Sequence, residues 1–320
     1  MTYKGGKMHY NKRFIKEIWT ALKAASKGFM SENCLKFSAS LAYYTLFSLG
    51  PILVLMISLA GIFYGQEAIQ GKVFSEVKGL IGPDAAAQIQ QLVANLHLEG
   101  KSNTALIIST ITLLIGATSV FGDLQDSINK IWHIRAKPKH SWIKVIKDRI
   151  LSSSLVLSLG FLLVVSLVIN GVILAFTNQL QRYIPDITVY LMNSINFILS
   201  FLIIFVLFSI IFKVLPDVKI SWKSVRSGAV FTTILFIIGR FFIGLYLQLS
   251  GTQSTYGAAG SIIVVLLWVY YTAAILYFGV VFTREYAVVR NVPIQPADYA
   301  VHIEENEIEK EVNTVPPAPL

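Results

Sequence analysis

In this chain of 320 residues 54% are hydrophobic and 14% charged, against about a quarter charged in an ordinary soluble domain, so a soluble globular class is excluded and a membrane protein is indicated. The net charge of +9 does not point to nucleic acid, because the basic residues flank long apolar runs, where they set membrane topology. A single cysteine, Cys34, excludes an internal disulfide framework and a cysteine-based metal cluster.

Residues 1–36 carry eight Lys/Arg and no short apolar core ahead of a small-residue cleavage site, so they are not read as a secretory signal. Within them Phe14, Ile18, Leu22, Ala25 and Phe29 share one helical face, with Lys16, Lys23 and Lys27 elsewhere. This is a basic amphipathic helix, suited equally to an anionic inner leaflet and to packing on the protein's own cytoplasmic loops. Ser31 reads as the N-cap of the first span.

A spanning helix needs about 20 apolar residues, and six segments qualify. The first is 37–66, where Gly50-Pro51 predicts a kink, read as a fixed bend rather than a hinge. Residues 67–98 read as two short amphipathic helices broken at Gly82-Pro83, forming an external cap. The remaining spans are 102–122, 150–181, 187–212, 227–249 and 261–283, with a glycine-rich turn at 250–260. The expected architecture is an all-α membrane protein. Residues 1–36 form a cytoplasmic segment, 37–283 a six-helix domain and 284–320 a cytoplasmic tail, disordered from about Asp298, where it turns acidic and then Pro-rich.

Lys/Arg counts in the segments outside the spans run 8, 3, 7, 1, 4, 0 from the N-terminus. The alternation assigns the N-terminal segment, the second and fourth connections and the C-terminal tail to the cytoplasm.

Polar residues inside the spans form stripes: Ser154, Ser158, Ser166 and Asn170 on the third, Asn193, Asn196 and Ser200 on the fourth, and Ser38, Tyr44 and Thr45 on the first. Such stripes face protein or water, either lining a cavity or letting helices pack closely. Arg240 is the only formal charge within a span, and no span contains Asp or Glu. The outer end of its helix is about 15 Å away at helical rise, beyond the reach of snorkelling. Its partners are then Tyr44, Tyr270, Tyr271 or backbone carbonyls, or an anion from outside, which a guanidinium fork suits. Arg240, Tyr44, Tyr270, Tyr271, Ser158, Asn170 and Asn196 are the candidate substrate-binding residues.

Metal-dependent phosphodiester cleavage would need convergent carboxylates. Asp123 and Asp126 share a helix face and make a pair at most, read chiefly as salt-bridging or helix-capping; Asp148 and Asp217 are separate in sequence. There is no GxSxG, P-loop, GxGxxG after a strand or HExxH. No enzymatic activity, metal or cofactor is expected.

Three stretches carry a resemblance. They are Phe37-Ser-Ala-Ser-Leu-Ala-Tyr-Tyr-Thr-Leu-Phe-Ser-Leu-Gly-Pro51, then Phe121-Gly-Asp-Leu-Gln-Asp-Ser-Ile-Asn-Lys-Ile-Trp132 with Asp123, Asp126 and Asn129 at the inner end of the second span, and Tyr256-Gly-Ala-Ala-Gly260 leading into Leu266-Leu-Trp-Val-Tyr-Tyr271 and Phe278-Gly279. Together, over roughly residues 12–290, the chain resembles the YihY/virulence factor BrkB family, formerly labelled the ribonuclease BN family. The resemblance implies a six-helix bacterial inner-membrane protein without a settled activity, the ribonuclease label being a misassignment. The family pattern places a glutamate two positions after the glycine of the last span. Here that position is Val281, which puts proton coupling through such a carboxylate in doubt. The expected function is moving or binding an anionic or lipidic solute. A non-catalytic scaffold is the alternative, and a ribonuclease the least favoured reading. The expected partners are the bilayer and an anionic lipid or small anionic solute, not nucleic acid, and the sequence does not decide homo-oligomerisation.

Overall fold

The computed structural model describes residues 5–47, 119–137, 185–249 and 260–304. In chain order these form α1 (Gly5–Ser31), α2 (34–47), α3 (119–131), β1 (Ile134–Ala136), α4 (Pro185–Val214), β2 (Val218–Lys219), α5 (Trp222–Leu249), α6 (Gly260–Val289), β3 (Gln295–Pro296) and β4 (Ala300–His302). The Gly50-Pro51 kink, the external cap, the third span and the turn at 250–259 lie outside the described residues.

Among the described residues three helices are long and apolar enough to cross a membrane, over Phe197–Val214 in α4, Trp222–Tyr246 in α5 and Ile263–Val289 in α6. On α5 the side chains of Val230, Ile234, Ile238, Phe241 and Leu245 are exposed, and their three- and four-residue spacing makes one continuous stripe. An exposed apolar surface of this extent is a lipid-facing one.

Helices α5 and α6 interlock through a reciprocal pattern, Gly228-xxx-Thr232 on one and Gly279-xxx-Thr283 on the other. Thr232 Oγ1 donates to Gly228 O at 2.8 Å and Thr283 Oγ1 to Gly279 O at 2.6 Å, so each hydroxyl is satisfied within its own helix. Each threonine then fills the space a glycine leaves on the other helix. A Cβ on Gly279 would lie 2.0 Å from Thr232 Oγ1, and one on Gly228 1.9 Å from Thr283 Oγ1. Small residues here let two apolar helices approach without a hydrophobic driving force. Stacked Phe231 and Phe282, 3.9 Å between centroids, continue the contact.

The same logic seats α1. Ala21 and Ala25 are fully buried, and a Cβ on Gly28 would come within 2.9 Å of Val281 on α6. Phe29 meets Phe278 edge-on at 5.6 Å, and Glu17 pairs with Arg290 at 3.2 Å. Thus α1 packs along α6 with one face. The other face leaves Ile15 and Trp19 exposed, with Lys23 over the Trp19 ring; Phe14, on the packed face, is exposed at the rim of a cavity beside Tyr286 and Arg290.

Three helices end alike, each on a non-glycine residue with positive φ: Asn33 after α1, His133 after α3 and Asn291 after α6, at 52–55°. Asn and His tolerate the left-handed region better than most side chains. After α6, Asn291 N donates to Val288 O and Val292 N to Ala287 O, a Schellman arrangement that satisfies terminal carbonyls. The first span therefore begins after a turn at Glu32–Asn33. Ser31 is not its N-cap; its hydroxyl instead donates back to Gly28 O.

At this end the chain is cross-tied by two antiparallel ribbons, β1 with β4 (Ile134 opposite His302) and β2 with β3 (Val218 opposite Pro296). The tail expected to be disordered from about 298 is therefore ordered through the described residues to 304, because its backbone hydrogen bonds are supplied by two connections. The architecture is mostly helical, consistent with the expected all-α class, and the short ribbons are additions at one end. The N-terminal helix, the segment after α3, the α4–α5 connection and the tail all meet here. They are the four segments that the Lys/Arg alternation assigns to one side.

Candidate functional site

Four polar groupings occupy the described bundle. The most buried centres on Asp217, 3% exposed, in the connection where Pro216 ends α4. Asn129 of α3 grips it with both ends of its amide: Nδ2 donates to Asp217 Oδ2 at 2.9 Å, and Oδ1 accepts the Asp217 backbone N–H at 2.8 Å. Tyr299 OH donates to Oδ1 at 2.8 Å and Gln125 Nε2 at 3.4 Å. One carboxylate thus joins α3, the α4–α5 connection and the tail. On the far side of the connection Ser221 caps α5, its hydroxyl accepting the Ser224 N–H.

The second grouping centres on Arg284, one residue beyond the expected end of the last span. Its Nη1 donates to Glu32 Oε1 at 2.9 Å and to the carbonyl of Ile131, and its Nη2 donates to Glu285 Oε1 at 2.9 Å. His133 Nε2 lies 2.8 Å from the same Glu32 oxygen. The guanidinium fork therefore ties the turn after α1 to the ends of α3 and α6.

The third joins α2, α3 and α6. Ser40 Oγ donates to Asp123 Oδ1 at 2.8 Å. Asp123 Oδ2 and the hydroxyl of fully buried Tyr277 are both out of solvent without a hydrogen-bond partner among the described residues. Burial holds the Asp123 carboxyl above its ordinary range, against the opposing Ser40 hydrogen bond, with Asp126 adding to the rise. Nearby Cys34 is fully buried, and its thiol is pushed up to about 12, first by burial and then by Glu32.

The fourth is Arg240. Its side chain is exposed and has no hydrogen-bond or ion-pair partner among the described residues. At about 100° per residue it nonetheless falls within roughly 60° of the buried line through Val225, Ala229 and Phe236, not on the lipid-facing stripe. Tyr271 brings its hydroxyl against Gly239, the residue before Arg240. Tyr270 is half-buried on α6, and Tyr44 is exposed on α2 with its ring beside Tyr43. Ser158, Asn170, Gly50 and Pro51, and the side chain of Asn196, lie outside the described residues.

The motif residues Asp123, Asp126 and Asn129 therefore point to three destinations rather than one. Asp123 meets Ser40, Asn129 meets Asp217, and Asp126 is exposed at the wall of a cavity of about 390 Å³ beside Lys130 and His133. Neither aspartate makes an ion pair among the described residues, so the salt-bridge or cap expected for the pair is replaced, for Asp123, by a serine hydrogen bond between helices. Among the described residues no three His, Cys, Asp or Glu side chains converge as a metal site. Trp132 is 3% exposed in the core, whereas Trp222 is exposed with Lys213 over its ring. Sequence reasoning did not single out Arg284, Glu32 or Tyr299. Arg284 and Glu32 are charged residues at the edges of apolar segments, the one signal that could have found them.

A lipid-facing apolar helix pair, glycine–threonine interlocked and tied at one end by buried polar clamps, defines an integral membrane protein. The sequence profile of the family described as "Virulence factor BrkB" matches residues 25–300, and the chain belongs to that family. It is similar to the UPF0761 membrane protein of Pseudoalteromonas atlantica, 24% identical over 246 residues, covering 76% of this chain and 78% of the relative. It is also similar to the putative ribonuclease-like protein YfkH of Bacillus subtilis, 26% identical over 252 residues, covering 76% and 86%. A UPF0761 membrane protein of Stenotrophomonas maltophilia is 24% identical over 275 residues, of which this chain spans 61% of the length. No solved structure matches significantly.

Proposed function

We propose that this chain crosses the bacterial inner membrane six times with both termini cytoplasmic, and that it binds or moves an anionic solute or lipid headgroup at Arg240. The topology is supported by the meeting of the three Lys/Arg-rich segments and the tail at one end of the bundle. The solute reading rests on one observation: Arg240 lies toward the protein side of α5, exposed and without a described partner. A charge at that depth costs at least about 2.5–3.5 kcal/mol on insertion scales, and an anion recruited to it would offset that cost. The ribbon end, closed by Asp217 and Arg284, would then form the inner floor of the pathway.

A ribonuclease activity has little support, because Asp217 is already taken up by Asn129 and Tyr299 and Asp123 by Ser40. The name of the Bacillus subtilis relative describes that protein and carries no site to this one. A scaffold remains the second reading, favoured by two cavities among the described residues, of about 440 and 390 Å³, that open at the ribbon end.

The test is reconstitution into liposomes with a panel of anions and labelled anionic lipids, comparing wild type, Arg240→Lys and Arg240→Leu. The proposal expects a flux or binding signal that falls strongly in Arg240→Leu and partly in Arg240→Lys. Full function in Arg240→Leu removes the anion site and leaves the scaffold.

A further inference from the structure

Two buried polar atoms without partners among the described residues, Asp123 Oδ2 on α3 and Tyr277 OH on α6, lie at one junction. Native interiors leave few such groups, and each calls for a proton, a water or an ion. Ser127 lies beside the Tyr277 hydroxyl but makes no hydrogen bond with it of ordinary geometry. Asp123 is close enough to act electrostatically on Tyr277. Ser40, from α2, occupies only the other carboxylate oxygen. The junction therefore has an acceptor with nothing to accept and, across from it, a hydroxyl with nothing to bond. It also gathers the three sequence stretches that stand out in this chain, through Ser40, through Asp123 with Ser127, and through Tyr277 next to Phe278-Gly279.

We propose that this junction is a proton-binding site: Asp123 takes up a proton from solvent on Oδ2 when α2, α3 and α6 close around it. One O–H bond forms, the carboxylate charge is neutralised and no other group changes. An ionised carboxylate with one oxygen sealed away from water and from donors is costly, and neutralisation is the ordinary escape. The charged and titratable groups acting on it are Asp126 and Lys130 on its own helix, and across the junction lies Tyr277, which Cys34 of α2 faces in turn. Asp126 opposes the negative charge on Asp123 and Lys130 favours it. Desolvation is the largest influence and raises the carboxyl. The site stands independently of Arg240 and of any transport reading. It would give a chain with Val281 where the family pattern has glutamate a different titratable group, at the end of the membrane domain.

The test is infrared spectroscopy of the intact chain in detergent, following the carbonyl stretch of protonated carboxylic acids across about pH 4 to 8, a window above the ordinary aspartate pKa of about 3.9. The expected result is a protonated-acid band that persists well above the ordinary range and is missing from Asp123→Asn. Ser40→Ala keeps the carboxyl but removes the hydrogen bond that favours its charged form. It should move the midpoint of that band to higher pH, and it serves as the reading should Asp123→Asn fail to fold. A band unchanged in Asp123→Asn, no such band in wild type, or an unmoved or lowered midpoint in Ser40→Ala overturns the proposal. So does a band that vanishes on adding sodium chloride at fixed pH, since a metal cation would then be the occupant.

Discussion

Replacing Gly279 with alanine adds one carbon at the tightest crossing in the described bundle. In an isolated helix the change would be favourable, by about 1 kcal/mol. Here the new Cβ would sit 2.0, 2.8 and 2.9 Å from Oγ1, Cγ2 and Cβ of Thr232, all inside the 3.4 Å at which ordinary contact begins. Rotating Thr232 would clear the first two atoms but break its bond to Gly228 O, and no rotation moves its Cβ. The helices must separate, at a cost of about 1–3 kcal/mol and occasionally more for overpacking. The propensity gain of about 1 kcal/mol offsets part of this, leaving a net loss of up to about 2 kcal/mol. For a chain of roughly this size that is a fall of up to about 8 °C in melting temperature, measurable by thermal unfolding in detergent followed by size exclusion. Gly228→Ala, meeting Thr283 at 1.9 Å, should behave the same way. Thr232→Ala in the Gly279→Ala background should restore part of the loss, since it removes Oγ1 and Cγ2 but leaves Cβ. A Gly279→Ala protein that melts at or above the wild-type temperature refutes the interlock. Equal damage from Gly279→Ala with and without Thr232→Ala would show that Thr232 is not the obstacle.

Other outcomes follow from the polar clamps and the buried cysteine. Asn129→Ala should destabilise by about 1–3 kcal/mol, because it strands a buried carboxylate and a backbone N–H; Gln125→Ala, losing a 3.4 Å bond, should cost clearly less in the same melting assay. Arg284→Lys should not substitute for Arg284, since one ammonium cannot reproduce the fork between Glu32 and Glu285; a lysine variant that melts with wild type argues against the clamp. Cys34, fully buried with its thiol at about 12, should resist maleimide in the folded protein and react after denaturation. The chain is then its own silent background for topology mapping, with Lys223→Cys expected to label only from the cytoplasm and Gln253→Cys from outside. For Asp123 the folded carboxyl titrates above the unfolded one, at 3.8. Below that value both states are protonated and nothing is lost; as pH rises through the folded pKa, stability falls. Asp123→Asn should remove this decline and match or exceed wild type at neutral pH, as read by melting temperature against pH.

Some of this molecule was legible in one dimension and some was not, for reasons set by the length scale of each signal. The fourth span, expected at 187–212, is the helix Pro185–Val214, because a run of apolar residues that long leaves no alternative. The last helix runs to Val289, six residues past its expected end at Thr283. Hydropathy stops at Arg284-Glu285, whereas the helix does not: its arginine is met by Glu32 and a carbonyl supplied from 131. The ribbons were invisible because strands of two or three residues carry no periodicity. Their partners are separated by up to 168 positions, as Ile134 is from His302, so nothing local announces them.

The candidate sites divide along the same line. Arg240 stands out in sequence alone, since a charge inside an apolar run is an anomaly that needs no partner to be seen. Asp217 and Asn129 do not, since each is an ordinary polar residue in a basic connection, and their meaning lies in a pairing across 88 positions. Reading Asp123, Asp126 and Asn129 as one helical unit suggested a common role. The helix instead turns each toward a different neighbour, as residues three apart on a helix surrounded on several sides are free to do. Near this end of the bundle, then, the chain spends its polar residues on joining segments to one another. Arg240, the one charge inside the spans expected from sequence, is left without a partner among the described residues. If Asp217 and Arg284 hold the inner end shut as tightly as their hydrogen bonds imply, loosening them with Asn129→Ala should raise proton or anion leak through liposomes without requiring Arg240. A solute site at Arg240 should instead lose specific flux and leave that leak unchanged.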